Sequence, residues 1–82
     1  MENHEILTRL KTIAKDEISI DPAMIREEMH IAMDLGLTSL TVTDLLLSVE
    51  DEFGFEFDES ELFKIETVGD LVQLIRKNVI QA

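Results

Sequence analysis

The chain has 82 residues, 45% of them hydrophobic, no cysteine, and a formal net charge of −11. Such a chain suits one small domain over residues 1–82; it excludes disorder, a disulfide framework and a protein thiol nucleophile. The acidity disfavours nucleic acid and anionic membranes as partners, since both would be repelled.

Ile6, Leu7, Leu10, Ile13 and Ala14 recur at helical spacing and predict a first helix over Glu2–Asp16, with Asn3 as its cap. A long connection follows, from Ile18 to Leu37. Within it Asp21-Pro22 reads as a cap with proline at the first helical position, so a short helical turn through Met24-Ile25 is expected. Ile18, Ile20, Ile25, Ile31 and Leu35 are placed to pin this connection onto a core. A loop of this length in a small domain is often functional.

A second helix is predicted over Ser39–Glu52. Val42, Leu45, Leu46, Val49 and Phe53 form its buried stripe, and Leu40, Thr43, Asp44, Leu47 and Asp51 a neighbouring one. Ser39 is a natural N-cap for this helix, and Gly54 a typical residue to end it. Phe55-Glu56-Phe57 reads as extended, with Phe57 pointing inward. Asp58 and Glu61 form a cap-like pair for a short third helix through Phe63. Thr67 and Asp70 open a fourth helix, whose stripe is Val68, Leu71, Val72, Ile75 and Val79, with Arg76 and Lys77 near its negative end. The expected fold is all-α: a small four-helix bundle with a long loop between helices 1 and 2 and a short third helix.

Charge is placed unevenly. From Glu27 to Phe63 there is no lysine or arginine, while Glu27, Glu28, Asp34, Asp44, Glu50, Asp51, Glu52, Glu56, Asp58, Glu59 and Glu61 all lie there. Outside that segment acids and bases balance. Such one-sided placement points to a docking face for basic protein surfaces, with Asp34, Asp44, Glu50, Asp51 and Glu56 as its charged candidate residues. No apolar run approaches the length of a membrane span, and Met1-Glu2-Asn3-His4-Glu5 lacks the regions of a signal peptide. A cytoplasmic monomer without membrane insertion is expected.

Catalytic chemistry finds little support. His4 and His30 are the only histidines, and there is no P-loop, His-x-x-x-His pair or Gly-x-Ser-x-Gly elbow. A serine nucleophile needs a general base, and none is near Ser39 in the sequence. The acidic run does not match a calcium loop: a window opening at Asp51 puts Phe53, Phe55 and Leu62 where oxygen ligands are needed and Glu56 where glycine is needed. No catalytic residue and no metal site are assigned.

Asp34-Leu35-Gly36-Leu37-Thr38-Ser39-Leu40, followed by an acidic amphipathic helix ending Glu50-Asp51-Glu52-Phe53-Gly54, resembles the acyl carrier protein family. The resemblance runs from about Ile6 to Ile80 and implies a free-standing, non-enzymatic carrier. It implies that Ser39 bears 4′-phosphopantetheine, transferred from coenzyme A by a basic holo-carrier-protein synthase with Mg²⁺. Acyl-transfer, condensing or reducing enzymes would then dock on the acidic second helix, where the resemblance puts Leu40 and Leu47 on the partner-facing side with the acids, and act on the thioester. Peptidyl carriers usually show Gly-Gly-x-Ser, whereas this chain has Gly36-Leu37-Thr38-Ser39. Fatty-acid carriers most often have Asp before the serine and an acid two residues after it, where this chain has Thr38 and Thr41. The resemblance therefore implies fatty-acid, polyketide or related specialised lipid biosynthesis, with a specialised pathway favoured. The alternative is an unmodified acidic helical adaptor for a basic partner.

Overall fold

The computed structural model describes residues 2–81. Four α-helices follow one another: α1 (Asn3–Ile18), α2 (Ser39–Phe53), α3 (Glu59–Leu62) and α4 (Val68–Gln81), with a 3-10 turn at Pro22–Met24. The expected all-α bundle with its long first connection and short third helix is what forms. α1 packs against α2, α4 and the 3-10 turn. The core joins Ile6, Leu10, Ile13 and Ala14 of α1 to Leu45 and Val49 of α2 and to Val68, Leu71, Val72 and Ile75 of α4. Ile25 and Ile31 of the connection are buried among them.

α1 differs from expectation at both ends. Its cap residue is Glu2, which makes no side-chain capping bond, and Asn3 lies inside the first turn. The helix continues to Ile18, which packs on the core, and stops at Ser19 in a left-handed conformation. The 3-10 turn forms as expected, with Asp21 Oδ1 accepting from the Ala23 N–H at 3.0 Å.

The connection is held by α4 as well as by its own isoleucines. Ile31 N–H donates to the Glu66 carbonyl and Val68 N–H to the Met29 carbonyl, each at 2.9 Å, around an antiparallel bridge between His30 and Thr67. Gly69 N–H donates to the Glu27 carbonyl at 2.8 Å. The first N–H groups of a helix have no partner inside it; here those of Val68 and Gly69 are satisfied by the loop. A Cβ at Gly69 would sit 3.2 Å from the Glu27 carbonyl oxygen, so this close approach favours glycine.

Thr67 and Asp70 form the expected reciprocal box. Thr67 Oγ1 accepts from the Asp70 N–H, and Asp70 Oδ2 accepts from the N–H groups of Thr67 and Glu66, all at 3.1 Å. The Thr67 and Glu66 donors hold the Asp70 carboxyl below the usual carboxylate range. The third helix is capped by Asp58 alone, through the Ser60 N–H. Glu61 does not reach back to it; its carboxylate pairs with Lys77 of α4 at 3.2 Å. Because α4 runs on to Gln81, Arg76 and Lys77 lie before its last turn rather than in it. Phe55 and Phe57 both pack against the core, their rings edge to face with centroids 4.9 Å apart.

Candidate functional site

The approach to Ser39 is built from a clasped turn. His30 N–H donates to Asp34 Oδ2 at 2.7 Å, and Asp34 N–H donates to the His30 carbonyl at 3.0 Å. His30 Nδ1 accepts from the N–H groups of Ala32 and Met33, at 3.2 and 3.1 Å. The imidazole thus closes the turn by accepting backbone donors, a packing role whose details the sequence did not disclose. Leu37 N–H returns to the Ala32 carbonyl at 2.9 Å, and Gly36 makes the bend with φ +67°. That conformation favours glycine.

The cap of α2 is Thr38, not Ser39. Thr38 is extended, its Oγ1 accepts from the Thr41 N–H at 3.2 Å, and its carbonyl accepts the first helical bond from Val42. The Thr38 and Thr41 hydroxyls also lie 3.0 Å apart. Ser39 becomes the first helical residue, exposed to solvent. Among the described residues its hydroxyl has no hydrogen-bond partner; only its carbonyl is engaged, by Thr43 Oγ1 at 3.0 Å. Among the described residues no acceptor stands within hydrogen-bond distance to take its proton.

From Ser39 the exposed face of α2 carries Leu40, Asp44, Leu47 and Asp51 in one stripe. Leu40 is 72% and Leu47 55% exposed, while Leu45 on the opposite side is 3% exposed. The other acids named from the sequence divide. Glu56 is exposed. Asp34 is engaged with the His30 N–H, and Glu50 Oε2 accepts from the Phe57 N–H at 2.7 Å, so both carboxylates also hold the chain together. Three further large apolar residues are exposed without any sequence pattern that marks them so, Met24, Met33 and Phe63. Behind α2 lies a cavity of about 80 Å³ with Val42, Leu46, Leu62 and Ile65 in its wall and His30 and Glu66 beside them. Among the described residues, no cluster of His, Cys, Asp and Glu could hold a metal ion.

A family described as "Phosphopantetheine attachment site" matches residues 8–75, from α1 into α4, with the clasp and Ser39 inside the match. The chain belongs to this family. Its relatives include an acyl carrier protein from Coprothermobacter proteolyticus, 43% identical over 79 residues and 96% of each chain. Another from Thermotoga maritima is 39% identical over 75 residues, 92% of this chain and 93% of that one. The crystal structure of a Thermotoga maritima acyl carrier protein superposes with a TM-score of 0.86 at 30% identity, covering 99% of this chain and 94% of that one. Acyl carrier proteins are carriers rather than enzymes, and the group they carry is 4′-phosphopantetheine. The exposed, unpaired Ser39 hydroxyl fits such a group. Among the described residues no helix of this carrier is long and apolar enough to cross a membrane.

Proposed function

We propose that Ser39 is the attachment residue and that the chain carries acyl intermediates as thioesters on a 4′-phosphopantetheine arm. The observation that carries this reading is the free hydroxyl of Ser39 at the first position of α2, inside the attachment-site match. Ser39 Oγ attacks the coenzyme A phosphorus that bears the pantetheine; the pyrophosphate P–O bond breaks, adenosine 3′,5′-bisphosphate leaves, and the serine proton passes to a base of the holo-carrier-protein synthase. The phosphodiester that results lies at the positive end of α2, where the helix favours negative charge. Partner enzymes with basic surfaces meet the exposed stripe of Leu40, Asp44, Leu47 and Asp51, with Glu56 and the free edges of Asp34 and Glu50 around it. The cavity beside α2 gives an acyl chain an apolar wall. The pathway is fatty-acid, polyketide or related specialised lipid biosynthesis, with neutral Thr38 and Thr41 favouring a specialised one. The carrier acts as a cytoplasmic monomer.

Intact mass after incubation with coenzyme A, Mg²⁺ and a broad-specificity transferase tests the attachment. The parent gains one phosphopantetheine and Ser39→Ala gains none. Because Thr38 is the cap, Ser39→Ala keeps its stability within about 0.5 kcal/mol, as surface changes usually do. An unchanged parent mass beside a modified control carrier, or a loaded Ser39→Ala, refutes it.

A further inference from the structure

We infer that Thr38 is a positioning residue for the loading of Ser39: it takes the cap of α2 so that Ser39 does not. This rests on Ser39 being the loaded residue. Two capping-type residues stand side by side at this helix start, and intrinsic preference ranks serine above threonine as N-cap. The chain nevertheless caps with Thr38, whose Oγ1 accepts from the Thr41 N–H at 3.2 Å and meets the Thr41 hydroxyl at 3.0 Å. The second contact is the local reason that threonine wins. It joins Thr38 to a side chain one turn on, which a cap at Ser39 would not reach in the same register.

The consequence falls on Ser39. As first helical residue it has a fixed backbone and, among the described residues, a hydroxyl without a partner. Were Thr38 unable to accept, Ser39 is the next residue able to cap. It would leave helical geometry, and its Oγ would turn back to the N–H three residues on, that of Val42. In the present arrangement Val42 N–H bonds to the Thr38 carbonyl at 2.9 Å. A capping hydroxyl points into the helix end and is no longer free to attack. Loading would slow without loss of the docking stripe on α2, so kcat falls and KM stays.

The test compares loading kinetics of the full chain with one transferase for the parent, Thr38→Val, Thr38→Gly, Thr38→Ser and Asp58→Ala. Thr38→Val keeps the branched shape and removes the acceptor; its kcat should fall at least about fivefold with KM within about twofold. Thr38→Gly should slow as well, although glycine as a cap is nearly as stable as threonine, which separates positioning from stability. Thr38→Ser should recover to within about twofold of the parent. Asp58→Ala removes the cap of α3 and should load at the parental rate despite a lower melting temperature. In Thr38→Val the Val42 amide resonance should shift as its partner changes. Parental kcat in both Thr38→Val and Thr38→Gly, no recovery in Thr38→Ser, or an equal loss in Asp58→Ala overturns the inference. A parent that gains no mass overturns the attachment reading itself.

Discussion

Leu45 and Leu47 offer a matched pair, since the same truncation on one helix meets opposite surroundings. Leu45 is 3% exposed and belongs to the core shared with α1 and α4. Buried Leu→Ala changes cost about 2–5 kcal/mol, combining lost transfer energy with the cavity left behind. In a domain of this size about 1 kcal/mol moves the melting temperature by about 4–8 °C, so Leu45→Ala should lose about 8 °C or more. Leu47 is 55% exposed, so less than half its surface is covered. Truncation removes about three carbon groups, worth about 0.8 kcal/mol each only when fully buried. With no closed cavity formed, Leu47→Ala should cost about 1 kcal/mol or less. Its effect on the partner should be the larger one. Only the few residues that anchor an interface cost more than about 1 kcal/mol when truncated, which is about fivefold or more in kcat/KM, and Leu47 should be one of them. Thermal melts followed by circular dichroism, beside kcat/KM for loading by the holo-synthase, measure both quantities. Equal melting temperatures for the two variants would refute the facing of α2. Unchanged kcat/KM in Leu47→Ala would refute its place in the docking stripe.

Moderate NaCl should raise the melting temperature, because the base-free segment from Glu27 to Phe63 brings like charges together and salt screens exposed charges over about 8 Å at physiological strength; a flat or falling series contradicts this. Asp70 has its carboxyl lowered in the folded state by the Thr67 and Glu66 N–H groups, so it stabilises the fold while ionised and that contribution disappears as acid protonates it. The stability gap between the parent and Asp70→Asn should therefore be full above about pH 5 and shrink as the pH falls below the ordinary aspartate value of about 3.9, as denaturant melts across an acid series would show. A gap that widens in acid would mean that Asp70 acts through something other than its ionised form.

Periodic burial was the legible part of the sequence. The stripes of α1, α2 and α4 each repeat apolar residues at helical spacing, and these supply most of the core. Asp21, Asp58 and the Thr67/Asp70 box could also be read, because a cap and its backbone donors are close in sequence. At Ser39 the same local logic failed by one residue. Ranking two adjacent hydroxyls requires the Thr38–Thr41 contact, which no propensity contains. Acidity marked Asp34 and Glu50 as surface groups, yet each also accepts a backbone N–H across a turn. The ties from Gly69 to Glu27 and from Val68 to Met29 join residues about 40 apart, and a lone glycine in an apolar stripe carries no sign of such a partner.

Those two ties bear on when the carrier becomes competent. The loop that leads to Ser39 takes part of its shape from the first N–H groups of α4, and α1 needs α4 to cover its apolar face. Neither contact can form in full while Val68 and the residues after it are still inside the ribosome. An emerging chain that ends before α4 therefore exposes Ser39 on a helix lacking its support, with the core open on one side. Folding waits for the far end of the match, and the serine is presented in its finished setting only after translation has passed it by a full helix. Modification would then follow synthesis of this region rather than accompany it.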